Sequence, residues 1–354
     1  MASYWLKYGN NVLHRNGYAV GKIEQPVDPY NPLGLPAYTI RVKITDGVTP
    51  EFRKGTAVQV SSSPNLWDLT YQNQNWSYLL YGTGSIVKEI LGANSTGVTN
   101  LEGFCQWCDA LTSVSLMDTS AVTNFNSAFE GCSSLAVLPA LPTQSATSMR
   151  SMLSKCSVLR EIPLFSTGSV TDISSFCALC SSITEIPMLD ISSVTNMYHA
   201  FTGCHNLVTV PAFDLSHVVN CEGLFRACSK LVSLPAMNLA STVYMKEMCS
   251  GCTRLTGISV SNTGRVTTME GAFRDCAFSA LPSLDTTNVS NMKEAFAYCR
   301  TVQSGALAMY TQLSTQANPP TNHTDTFLQC GRDTVQGAQE LSEIPQSWGG
   351  TMSE

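Results

Sequence analysis

Apolar side chains recur through the middle of this chain with a fixed period. Cys108, Cys132, Cys156, Cys180, Cys204, Cys228, Cys252 and Cys276 stand at steps of 24 residues, and Cys299 follows after 23. Seven positions before each cysteine lie Leu101, Phe125, Met149, Ile173, Met197, Cys221, Met245, Met269 and Met292, and three before it lie Cys105, Phe129, Leu153, Cys177, Phe201, Phe225, Cys249, Phe273 and Phe296. A period of this length marks a stack of one repeated unit. Apolar residues at i, i+4 and i+7 predict a helical turn, opened by good N-caps such as Thr195-Asn196. Leu111, Leu135, Leu159, Ile183, Leu207, Leu231 and Leu255 come next, followed three residues on by Val114, Leu138, Ile162, Ile186, Val210, Leu234 and Ile258. That second stretch predicts a short strand, laddered in parallel on the strand of the next coil.

Two further columns bound the strand. Pro139, Pro163, Pro187, Pro211 and Pro235 cannot donate to a central ladder, so the strand is expected to end there. Asp118, Asp190, Asp214, Asn238, Asn262 and Asp285 follow, where such side chains bond nearby N–H groups and hold a turn.

The first 96 residues carry a different pattern. Tyr4 to Ile23 reads as short strands around Asn10-Asn11 and Asn16-Gly17, Glu24 to Pro36 as a proline-rich linker, and Tyr38 to Ile44 and Thr56 to Val60 as strands with one solvated face. Trp67, Tyr71, Trp76, Tyr78, Leu79 and Leu80 are expected to form a small core of their own. Beyond Cys299 the period fails: Ala306 to Leu313 has helical spacing, Pro319-Pro320 breaks it, Phe327 and Cys330 suggest one last imperfect coil, and Gly349-Gly350 suggests a frayed tail. The expected division is a docking or capping domain at 1–96, about nine repeats at 97–304, and a C-terminal cap at 305–354.

Units such as Val194-Thr195-Asn196-Met197-Tyr198-His199-Ala200-Phe201-Thr202-Gly203-Cys204-His205-Asn206-Leu207 resemble the BspA-type leucine-rich repeat family. The resemblance implies an α/β solenoid of 24-residue coils carrying a small, mainly β N-terminal domain, in a family largely of surface and adhesion proteins without a catalytic motif. Lys54 to Val60 and Asn65 to Tyr71 are similar to the region preceding such repeats in proteins of gut bacteria and their phages.

Composition narrows the function classes. Charged residues are 13% of the chain, and the net charge of −6 splits as +2 over 1–96, −4 over 97–304 and −4 over 305–354. No basic stripe exists to track a phosphate backbone, so a nucleic-acid partner is not expected. No apolar run is long enough to span a membrane, and the first residues show no apolar signal segment, so the 14 cysteines are expected to be reduced and to fill a small apolar slot. The pairs Cys105/Cys108, Cys177/Cys180 and Cys249/Cys252 lie three coils apart, too far to share a metal. His199, His205 and His217 read as exposed polar positions. No nucleophile, base or metal constellation emerges, and neither catalysis nor a cofactor is expected.

The remaining expectation is a binding module. Residues flanking the inward strand positions, Arg160, Glu161, Thr184, Glu185, Val208, Thr209, Val232 and Ser233, are the candidate contact face. A tail- or head-fibre-like protein of a bacteriophage virion fits best, assembled in the bacterial cytoplasm. Its N-terminal domain would meet other virion proteins, its solenoid a host surface protein or glycan, and it would self-associate or act as a single chain. The alternatives are a bacterial cell-surface adhesin and an intracellular protein-interaction module.

Overall fold

Successive repeats lie directly on one another. In the computed structural model, which describes residues 6–8, 11–13 and 19–22 as backbone and 28–352 in full, a ladder of parallel bridges runs Asn75, Asn100, Asn124, Ser148, Asp172, Asn196, Asn220, Tyr244, Thr268, Asn291 and Asn322. Each rung is one repeat, so Cys132 and Cys156 belong to neighbouring layers.

The segment expected to be helical is instead a run of tight turns. Leu101, Gly103, Cys105 and Trp107 donate their N–H groups to the next coil, at Asn124, Asn126, Ala128 and Glu130, over 2.7–2.9 Å. The intervening Phe104, Gln106 and Cys108 donate back three residues, to Leu101, Gly103 and Cys105. Two left-handed residues per repeat, four apart, prevent the i→i−4 bonding of an α-helix: Gly103 and Trp107, then Ser127 and Gly131, and so on through Asp325 and Gln329. The side chains expected as N-caps do accept bonds, but they close Asx turns: Asn124 Oδ1 takes the Asn126 N–H at 2.9 Å and Asp172 Oδ1 that of Ser174 at 2.7 Å.

The strand expected after the cysteine is also reduced. Its parallel pairing survives where β8 (Ser113–Val114) meets β7 (Val87–Asn94), with single bridges at Glu185 to Thr209 and Ala280 to Ser304, while β9 (Met237–Asn238) and β10 (Val260–Ser261) pair in parallel beyond the proline column, where no strand was expected. Proline breaks the ladder between the central coils, and the main ladder moves to the Asn-rich column. Asp118, Asp190, Asp214 and Asp285 hold the return turns as expected, each accepting from the N–H two residues on at 2.9–3.1 Å.

The cysteine column and those seven before, three before and three after it point inward, and another joins them, the residue four before each cysteine. Phe104, Ala128, Met152, Phe176, Ala200, Leu224, Met248, Ala272 and Ala295 are buried beside the column three before it. The two columns exchange volume. Where one holds Cys105, Cys177 or Cys249, the other holds Phe104, Phe176 or Met248, and where one holds Phe129, Phe201 or Phe273, the other holds Ala128, Ala200 or Ala272. The rings interlock across layers, Phe176 against Phe201 at 6.4 Å and Phe104 against Phe129 at 6.3 Å between centroids.

Both ends are closed. At the N-terminal end, β1 (Leu6–Tyr8), β2 (Asn11–Leu13) and β3 (Ala19–Lys22) form an antiparallel sheet, while the Asn10 and Asn16-Gly17 turns and residues 23–27 lie outside the described residues. A second sheet has the order β5-β6-β4-β7-β8, with β4 Thr39–Ile44, β5 Thr56–Ser62 and β6 Asn65–Thr70. The separate aromatic core does not form. Trp76, Leu79 and Leu80 belong to the first rung and to the core of the stack, and Tyr78 is exposed, its ring lying over Gly103 where a Cβ would collide with it. At the other end, α1 (Ala306–Thr315) spans the expected segment, and α2 (Val335–Leu341) packs on it. The Glu340 carboxylate accepts from the Gly305 and Leu307 N–H groups at the positive end of α1. Residues 348–352 are not frayed: Trp348 covers the last rung, and Thr351 and Met352 donate back to Leu341 and Ile344.

Candidate functional site

The two long faces of the stack differ in how their charges are satisfied. On the tight-turn face, charges pair between layers: Lys155 with Glu130 at 3.2 Å, Arg226 with Glu247 at 2.9 Å, Lys246 with Glu270 at 3.4 Å and Arg274 with Glu294 at 3.0 Å. Aromatic rings there carry cations, Lys155 over Trp107 at 4.4 Å and Arg274 over Tyr298 at 5.1 Å.

The opposite face carries the eight candidate residues. Arg160, Glu161, Thr184, Glu185, Val208, Thr209, Val232 and Ser233 are all exposed, two per layer in four successive layers. Backbone bonds tie them loosely, with Arg160 donating to Ala136 at 3.1 Å and Val208 to Thr184 at 2.8 Å. Val137, Glu161, Glu185, Thr209 and Ser233 share one column, which sets the two carboxylates in adjacent layers. Among the described residues neither has a cation within ion-pairing distance.

Because the proline column interrupts backbone pairing, this face opens into grooves. One, of about 510 Å³, is lined by Val137 to Ala140, Glu161 to Leu164, Glu185 and Pro187. A second of about 260 Å³ includes Val208, Thr209 and Ser233, and a third of about 380 Å³ runs from Met188 to Ser192 and across to Phe213, Asp214 and His217. Three lining residues escaped the sequence reading: Val137 (52% exposed), Leu164 (66%) and Met188 (62%). The signal was present, since Leu164 and Met188 follow the repeated proline where other coils place Ala140, Ala212 and Ala236.

Other candidate chemistry does not converge. His199 bonds Thr202 at 2.7 Å, His205 the Ala227 carbonyl at 2.9 Å and His217 the Ile191 carbonyl at 2.7 Å, each toward a different neighbour. Burial and the nearby Arg226 hold the His199 imidazole below its ordinary range. All 14 cysteines are free and buried. Each thiol of the main column donates to a carbonyl one layer back: Cys132 to Cys105, Cys156 to Phe129, Cys180 to Leu153 and Cys204 to Cys177, at 3.0–3.2 Å. Among the described residues no group of three or more His, Cys, Asp or Glu side chains is placed to hold a metal ion, and no helix is long and apolar enough to cross a membrane.

A ladder of stacked repeats closed at both ends defines the class: a repeat protein. The family model described as "Mycoplasma protein of unknown function, DUF285" matches the chain four times, over residues 74–186, 99–211, 147–257 and 243–318. These spans join into one stretch covering more than half of the chain, and the protein belongs to that family. The first two matches begin beside Asn75 and Asn100, the first two rungs. Among curated proteins none matches the chain.

Proposed function

We propose that the protein is a non-enzymatic adhesion component, a BspA-type solenoid that binds a host surface molecule through its proline-side grooves. The carrying observation is the groove itself: Glu161 and Glu185, with no cation in ion-pairing distance among the described residues, line it with exposed Val137 and Leu164, and exposed Met188 lines a separate groove on the same face. Stacked like charges favour a partner that brings a cation, and exposed apolar side chains next to them favour one with apolar groups. A fibre-like protein of a bacteriophage virion, assembled in the bacterial cytoplasm, suits a chain whose 14 cysteines are free and buried. Its N-terminal sheet is the region proposed to meet other virion proteins.

A second reading, a cell-encoded surface or interaction protein, is favoured by the family description, which names a Mycoplasma protein. Mass spectrometry of purified virions separates the two: enrichment in particles supports the first reading, and recovery from uninfected cells alone defeats it. For the groove itself, the full chain is assayed for adherence to host cells. Leu164→Asp with Met188→Asp, both exposed, is expected to cut adherence at least tenfold without altering thermal unfolding. Undiminished adherence of that variant would show that the groove is not the contact surface.

A further inference from the structure

The N-terminal sheet has one long open edge. β5 is hydrogen-bonded on one side, to β6, and among the described residues no strand lies on the other. The opposite edge is engaged, because β7 joins β8 of the first coil. Edges left open are normally protected by charges, prolines, bulges or short length; Thr56-Ala57-Val58-Gln59-Val60-Ser61-Ser62 holds neither charge nor proline over seven residues, and a bulge interrupts only its second half. Val58 is 59% exposed and Val60 47%. The register to β6 shifts between Gln59 and Ser61, a bulge that leaves the stretch before it regular.

We propose that β5 pairs antiparallel with β5 of a second copy, across a two-fold axis at Val58. Backbone N–H and C=O groups alternate sides along a strand, so two identical edges related by a two-fold must set one residue opposite itself. With Val58 on the axis, Val58 meets Val58, Ala57 meets Gln59 and Thr56 meets Val60. Every pair is neutral, and the β-branched side chains are those that stabilise cross-strand pairs. With Gln59 on the axis, the pairing would instead run through the bulged residues 60–62. Val58 of each copy covers the other, removing the most exposed apolar residue of the edge from water. The resulting dimer carries two sets of grooves, so a weak contact at each is strengthened by avidity. This assignment stands on the sheet alone and does not depend on what the grooves bind.

The test is sedimentation of the full chain across a wide concentration range, beside Val58→Lys, which places like charges together on the axis. The expected result is a concentration-dependent dimer for the unaltered chain and a monomer for Val58→Lys, with the same circular dichroism spectrum. A second measurement fixes the register: under mild oxidation Val58→Cys is expected to yield a disulfide-linked dimer, and Ser62→Cys, at the far end of the strand, is not. The native thiols, all buried, leave a low background. A monomeric unaltered chain, a dimer that survives Val58→Lys, or equal cross-linking at both positions would each overturn the proposal.

Discussion

Phe176 and Cys177 show how the core is filled one residue at a time. Both are buried, and the neighbouring layer holds Ala200 and Phe201 in the same two columns, so the ring sits first in one column and then in the other. A cysteine in the aromatic slot is therefore volume compensation, and no redox or metal role is needed to explain it. Phe176→Ala is expected to cost about 3–5 kcal/mol by emptying an aromatic site, and Cys177→Phe alone about 1–3 kcal/mol by overpacking. The double variant, which recreates the Ala-Phe arrangement of the next layer, is expected to recover most of that loss. Reversible urea denaturation of the three variants measures the coupling, and simple additivity would contradict the exchange.

At the scale of the element, the tight-turn segment and the cysteine column are one device. From Cys108 to Cys252, the carbonyl three residues before the cysteine accepts twice, from that cysteine's own N–H and from the thiol one layer on, as at Phe129 with the Cys132 N–H and the Cys156 thiol. A thiol is small enough for the slot and still a donor, which Ala is not. Burial pushes the Cys221 and Cys299 thiols up to about 12 from an ordinary value near 9. Raised folded-state values stabilise the protein below the unfolded thiol's pKa, and that contribution is lost as pH climbs from there toward 12. Together these two thiols are expected to lower stability by about 3 kcal/mol per pH unit in that window. Urea midpoints between pH 8 and 11 test this, and a flat profile would contradict it. In the same preparations a thiol reagent at pH 8 is expected to count almost none natively and all 14 after denaturation.

Across the whole molecule, stability passes from layer to layer, and the ends decide whether the stack holds. Trp348 covers the final rung, its ring 4.0 Å from that of His323 and 5.4 Å from Tyr310 between centroids, and its carbonyl accepts the Phe327 N–H at 2.9 Å. Trp348→Ala is expected to cost about 3–5 kcal/mol and to open the terminal layer first. Hydrogen exchange checks this: amides of 322–330 should exchange faster than those of 196–204, and uniform acceleration along the chain would mean that the stack melts as one unit.

Repeat length, the inward columns, the Asx-held return turns and the helix after Ala306 were legible in the sequence, because each follows from local chemistry repeated at a fixed step. The exposure of the positions flanking Leu159, Ile183, Leu207 and Leu231 was legible too, although that of Leu164 and Met188 was not drawn out of the proline column. The helical turn was misread because inward positions such as Leu101, Phe104, Cys105 and Cys108 suit an α-helix and a chain of tight turns equally well. Glycine separates the two, standing at Gly103, Gly131, Gly203, Gly223, Gly251 and Gly271, always in the two left-handed columns. The backbone of one repeat has no partners for half of the N–H groups in that segment. Only the layer above supplies them, and that is why the ladder's position, the exchange of ring and cysteine between layers, and the open proline-side groove were decided by the tertiary structure.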